Sequence, residues 1–112
     1  MCRVTWHRSP RHECVGSHHF GFPPALEEEL SETLITVPRS PGFTLLHALG
    51  HGSDFAQAST AERVRGSVDR RVIWVVLEAE RLHPFIDSIR ERVRSHDVVW
   101  WAEPVLERGT LA

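Results

Sequence analysis

The chain has 112 residues, 41% of them hydrophobic and 25% charged, with a formal net charge of −2. That length supports one domain around one small core, and the slight acidic excess excludes a sequence-independent grip on nucleic-acid phosphates, which needs a concentrated basic face. The longest apolar run, Val72 to Leu77, is far short of the roughly 20 residues of a membrane-crossing helix, and the polar N-terminus has no secretion-signal core.

These features predict a cytoplasmic protein with no nucleic-acid partner and no direct membrane insertion. The two cysteines, Cys2 and Cys14, lie in no CxxC or disulfide-rich pattern and read as reduced thiols. Residues 1–14 carry Arg3, His7, Arg8, Arg11 and His12 around Pro10 without any period. They are expected to form a flexible N-terminal arm, with the folded domain over residues 15–112.

The first strand is expected over Cys14–Phe22, "CVGSHHFGF", stopped by Pro23 and Pro24, which suit the opening turn of a helix. In that helix Leu26, Leu30, Leu34 and Val37 recur at helical spacing, and Glu27, Glu28 and Glu29 sit in the turn where the helix dipole favours negative charge. Pro38 and Pro41 end it. The second strand, within "GFTLLHALGHG", puts Phe43, Leu45, His47 and Leu49 on one face and Thr44, Leu46 and Ala48 on the other. It is expected to break off at His51, between Gly50 and Gly52. A loop over His51–Asp69 follows, longer than the 12 to 15 residues beyond which structureless loops are typically functional or disordered.

The third strand, "RRVIWVVLE", is continuously apolar at its centre, as in strands covered on both sides. A second helix is predicted from Ala79 to about Ser95, with Pro84 in its first turn and Leu82, Phe85, Ile86, Ile89 and Val93 as its buried stripe. "DVVWWAEPV", residues 97–105, supplies a fourth strand whose Pro104 belongs at a sheet edge. The order is βαββαβ, an α+β ferredoxin-like antiparallel sheet with two helices on one face. Those helices leave the other face open. Trp74, Val75, Val76, Val99, Trp100 and Trp101 load both faces, so the open one would expose a large apolar patch and marks an interface between copies.

"PPALEEEL", "GFTLLHALGHG", "AERVRG", "RRVIWVVL" and "EPV", in that order, resemble the PII-like (GlnB/CutA-type) superfamily. Within it they resemble a small uncharacterised family that often accompanies genes for heavy-metal efflux pumps. The resemblance spans roughly Val15 to Leu111. It implies a homotrimer packed through its open sheet faces and a signalling protein that binds an effector in subunit clefts and orders the loop between the second and third strands. A heavy-metal efflux pump or its regulator is the partner it implies. Nucleotide-binding PII proteins carry a loop with glycine and lysine between the second helix and fourth strand. This chain has only "RSHD", residues 94–97, in that place, which argues against a bound nucleotide.

The effector residues expected on this reading are Gly50, His51, Gly52, Arg65, Gly66 and Arg70, with Arg71 beside them, because guanidinium forks suit phosphate and carboxylate. Eight histidines in a short chain also point to a transition metal such as copper, zinc or nickel. His47, His51 and Asp54 are its candidate ligands. On a straight strand His47 and His51 would lie about 13 Å apart, so a shared ion requires a bend, which Gly50 and Gly52 would permit. His18 and His19 point to opposite faces, one expected to be buried and hydrogen-bonded and the other exposed. No GxSxG or HExxH motif is present, so the chain reads as a non-enzyme. The enzymatic alternative is a cofactor-free oxygenase of the dimeric α+β barrel type, which shares ferredoxin-like halves.

Overall fold

A computed structural model describes residues 14–51 and 66–112. Strand β1 spans Val15–Phe22, helix α1 Glu27–Thr36, strand β2 Thr44–His51, strand β3 Ser67–Glu78, helix α2 Leu82–Arg90 and strand β4 Val99–Val105. Each helix is entered through a single 3₁₀ turn, Pro24–Leu26 before α1 and Ala79–Arg81 before α2. The strands form one antiparallel sheet in the order β2-β3-β1-β4. This is the ferredoxin-like α+β arrangement expected from the order of elements.

The register explains which residues are dry. Phe20 pairs with Ile73 on one side and Trp100 on the other, and this row faces the helices. Phe20, Phe22, Ile73, Val75 and Leu77 from the sheet are buried against Leu30 and Leu34 of α1 and Phe85, Ile86 and Ile89 of α2. The next row, Trp74–His19–Trp101, points to the uncovered face, where Trp74 is 48% exposed, Trp101 41% and Val99 56%. The alternation of the pleat thus divides the doubly apolar strands between a core and an open apolar surface. Pro104 lies in edge strand β4 opposite Gly16, a position where its missing N–H costs no ladder bond on the solvent side.

Local chemistry sets the helix ends. Glu27, Glu28 and Glu29 occupy the first turn of α1. The chain leaves that helix through Arg39, which takes a positive φ of 57°. Ser40 then turns back so that its hydroxyl donates to the Leu34 carbonyl at 2.8 Å, satisfying one of the carbonyls a helix end leaves open. Arg81 donates to the Arg39 carbonyl at 2.7 Å and to Glu78 at 3.2 Å, fastening this turn to the entrance of α2.

β2 ends at His51, as expected, with Gly50 paired to Val68 and His51 to Ser67. Gly50 is there for room, since a Cβ on it would come within 3.0 Å of the Arg70 Cγ and 3.3 Å of a Val68 methyl. Three local expectations need correction. β3 starts at Ser67, after Gly66 at φ +75°, earlier than its apolar run suggests. Helix α2 stops at Arg90, with Arg92 and Val93 donating to the Ile89 carbonyl in a tightened final turn, although Val93 still reaches the core. Cys14, expected as a reduced thiol, is disulfide-bonded. The predicted N-terminal arm and most of the predicted loop, with Gly52, Asp54 and Arg65, lie outside the described residues.

Candidate functional site

The β2–β3 ribbon carries the described members of the predicted effector set. Its register sets His47 opposite Arg71, Ala48 opposite Arg70 and Leu49 opposite Asp69. Because Leu45 pairs with the core residue Ile73, the residues in step with it face the helix side: His47, Leu49 and His51 on β2, Arg71 and Asp69 on β3. His47, Ala48, Leu49, Asp69 and Arg71 line an open hollow of about 470 Å³. Arg71 is aimed by Glu27, whose carboxylate accepts from its Nε at 2.7 Å, while its Nη1 donates to the Arg70 carbonyl at 3.1 Å. The hollow therefore offers an imidazole and a partly compensated guanidinium side by side, with the Asp69 carboxylate on the same lining; the two nitrogen groups are donors suited to a compact anion.

Arg70 belongs to the opposite face. Its methylenes cross Gly50, and its Nη2 lies 4.0 Å from where a Cβ on Gly21 would stand, with the Trp101 ring 3.6 Å from the same point. The predicted effector residues are thus divided: His51 faces the helix side, Gly50 and Arg70 the open sheet face, and Gly66 opens β3. His47 and His51 sit four residues apart on a continuous strand, about 13 Å at the usual rise per residue, so β2 makes no bend that would bring them to one ion. Among the described residues no group of three His, Cys, Asp or Glu side chains is placed to hold a metal.

A second cluster, not anticipated from the sequence, occupies the open face. His19 stacks on Trp101 with ring centres 5.0 Å apart and 4° between planes, and meets Trp74 edge-on at 5.7 Å. Its Nε2 shares a hydrogen bond of 3.0 Å with the Ser17 hydroxyl and lies 3.6 Å from Glu103, which also accepts from the Trp101 indole N–H at 3.3 Å. Both Ser17 and Glu103 approach the same imidazole nitrogen, whereas a nucleophile–base–acid relay needs opposite nitrogens. The cluster is a packed polar island in an apolar face. Its signal in the sequence was cross-strand register, which sets residues 19, 74 and 101 in one row.

His18, on the other face of β1, is 2% exposed, and neither ring nitrogen has a hydrogen-bond partner among the described residues. Both adjacent histidines are therefore buried, and the one in the helix-side core is the unpartnered one, which corrects the expected buried-and-bonded versus exposed division. Burial, and secondarily the neighbouring His19, push the His18 imidazole below its ordinary value. Gly16 makes the space: a Cβ there would fall 2.8 Å from His18 Cε1.

The four-stranded sheet with its two helices has a PII-like fold. A DUF3240 family protein from Shewanella baltica OS155 superposes with a TM-score of 0.68 at 14% identity, over 88% of this chain and 97% of that one. Arabidopsis thaliana PII bound to citrate gives 0.60 at 15%, over 87% and 80%. The B. subtilis GlnK–ATP complex gives 0.57 at 15%, over 83% of each chain. No curated protein matches the chain. The chain belongs to the family described as protein of unknown function DUF3240, which matches residues 18–112. No helix among the described residues is long and apolar enough to cross a membrane.

Proposed function

We propose that this protein is a small-ligand-binding regulator of PII-like fold, not an enzyme, that works as a homotrimer and reads a compact anion through the β2–β3 ribbon. The observation that carries this reading is the hollow in which His47 and the Glu27-aimed Arg71 face each other across the ribbon, immediately before it runs into residues 52–65. Of the expected effector residues, His51 shares the face of this hollow, while Gly50 and Arg70 would serve from the open sheet face, across which neighbouring copies contribute. Solved proteins of this fold hold citrate and ATP, both polyanions. The short "RSHD" turn lacks the glycine and lysine suited to a triphosphate, which favours the more compact anion.

Regulation follows as a population shift: an anion that binds better when the loop between β2 and β3 is ordered changes what a partner meets, and a few kcal/mol of differential affinity suffices. A transition metal is the second effector class, with His47 or His51 as a ligand and Asp54 or a neighbouring copy completing the set. We place the protein in the cytoplasm, with residues 15–112 as the working unit beside an N-terminal arm, and a heavy-metal efflux pump or its regulator as the partner.

Native mass spectrometry of the protein alone and with citrate, ATP, Cu(I), Zn(II) or Ni(II) tests the reading. A trimer that takes up citrate or a metal stoichiometrically, and loses it in His51→Ala or Arg71→Gln without losing assembly, supports it. A monomer or a dimer that ignores every addition overturns it, and the dimer would direct attention to an oxygenase cavity.

A further inference from the structure

A cavity of about 340 Å³ opens toward the β4 edge of the sheet, away from the β2–β3 ribbon, between the end of α2 and the start of β4. Its floor is core: Phe20 of β1, Leu30 of α1, and Ile86, Ile89 and Val93 of α2, all buried. Trp100 forms a wall, held on its edge by His83 at 6.4 Å between ring centres. The mouth is cationic. Arg90, Arg94 and His96 line it, and no carboxylate does. Arg90 has a 3.4 Å pair with Asp87, whereas Arg94 and His96 have no hydrogen bond or ion pair among the described residues.

We infer that this cavity is a binding site for a small amphipathic carboxylate, an apolar tail in the pocket and its charge at the mouth. Three properties converge on that class. The volume falls in the range of small-molecule sites and equals about eleven waters at ~30 Å³ each, enough for a ring or a short branched chain. The floor offers a tail only apolar contact, so a fully polar ligand would lose hydration there without compensation. The mouth offers two guanidiniums and an imidazole, and guanidinium matches carboxylate in a two-pronged geometry. The C-terminal end of a helix carries about half a negative charge. Arg90 is offset by Asp87, but the charge of Arg94, unpaired among the described residues, alone exceeds that half charge, leaving the mouth attractive to an anion.

The site is braced before any ligand arrives. Val98 donates to the Ser95 carbonyl at 3.3 Å and Asp97 N–H to the Ser95 hydroxyl at 3.0 Å, so the turn that presents His96 is fixed from within. The lining of the pocket comes from one chain, on the helix side of the sheet, and shares no residue with the ribbon hollow.

Three probes separate the contributions in amide and indole NMR titrations of the full chain: 3-phenylpropionate, its neutral amide 3-phenylpropanamide, and acetate. Only 3-phenylpropionate should bind at sub-millimolar concentration, shifting the amides of Val93 to Val98 and the Trp100 indole. Arg94→Gln/His96→Gln, both exposed positions, should weaken it at least tenfold and erase the preference over the amide. The inference is overturned by equal binding of acid and amide, by shifts confined to Trp74 and Trp101 on the open face, by an unchanged affinity in the double variant, or by no shift at millimolar probe.

Discussion

Lowering the pH should destabilise this protein through His18 in a way that one substitution removes. His18 lies in the helix-side core with both ring nitrogens unpartnered among the described residues, and burial holds its pKa below the ordinary value. In the unfolded chain the imidazole takes a proton near pH 6.5. A base whose folded pKa is depressed makes the unfolded state bind more protons, so stability rises with pH through this window and falls as the pH drops below about 6.5. While His18 stays neutral in the fold, linkage for one proton gives a loss of about 1 kcal/mol between pH 6.5 and 5.5, with a limiting slope of about 1.4 kcal/mol per pH unit. The loss levels off once the pH falls below the folded pKa. Urea unfolding at pH 7.5, 6.5 and 5.5, followed for the native chain and for His18→Leu, measures it. Leu removes two unpaired nitrogens from a dry site, so the variant should be at least as stable as the native chain at pH 7.5. It should also show a shallower pH dependence over the 6.5 to 5.5 interval, by up to about 1 kcal/mol, the limit set by one proton. Parallel pH profiles would refute the reasoning. So would a variant that loses more than about 2 kcal/mol at pH 7.5, because that loss would mean the imidazole has a partner whose removal is costly.

Glu27→Gln releases Arg71 from its 2.7 Å partner; stability should change by less than about 1 kcal/mol, while calorimetry should show citrate affinity altered several-fold, and unchanged binding would exclude Arg71 as the anion ligand. Trp101→Ala removes the ring stacked on His19; by sedimentation the proposed trimer should dissociate at least about tenfold more readily, as expected of a Trp anchor in an interface, and an unaltered assembly would mean the open face is not that interface. Gly66→Ala forces a Cβ onto a backbone at φ +75° and should cost about 1 kcal/mol in chemical denaturation. If the protein works in the reducing cytoplasm, Cys14→Ser should leave the melting temperature unchanged; a loss of about 2–5 kcal/mol would make the disulfide structural and point to an oxidising compartment.

Much of the fold was legible because its signals are local or periodic. The Leu30–Leu34 and Phe85–Ile86–Ile89 stripes, the glutamates opening α1, and Pro104 at an edge each depend on a rule that acts within a few residues. The start of β3 was misplaced for a non-local reason: Ser67 to Asp69 have no apolar period of their own and are extended because β2 supplies their hydrogen-bond partners.

The same distinction governs the candidate sites. Residue type marked His47, His51 and Arg70 as chemically capable, but strand register decides which of them can act on one ligand, and it sets Arg70 on the face opposite His47 and Arg71. Register also created the His19–Trp74–Trp101 row from three residues separated by 55 and 27 positions in the chain, a row no spacing rule within one strand reveals. The cationic pocket at Arg90, Arg94 and His96 was hidden for a third reason: α2 ends early at Arg90, so residues expected to continue an exposed helical face instead turn over the gap left above Ile89. A helix continued to Ser95 would carry Arg90 and Arg94, one turn apart, out along its own axis. Ending it lets the chain fold back to β4 with its cations gathered around an apolar floor. Shape complementarity with a charged, short-tailed ligand is therefore a consequence of where this helix stops.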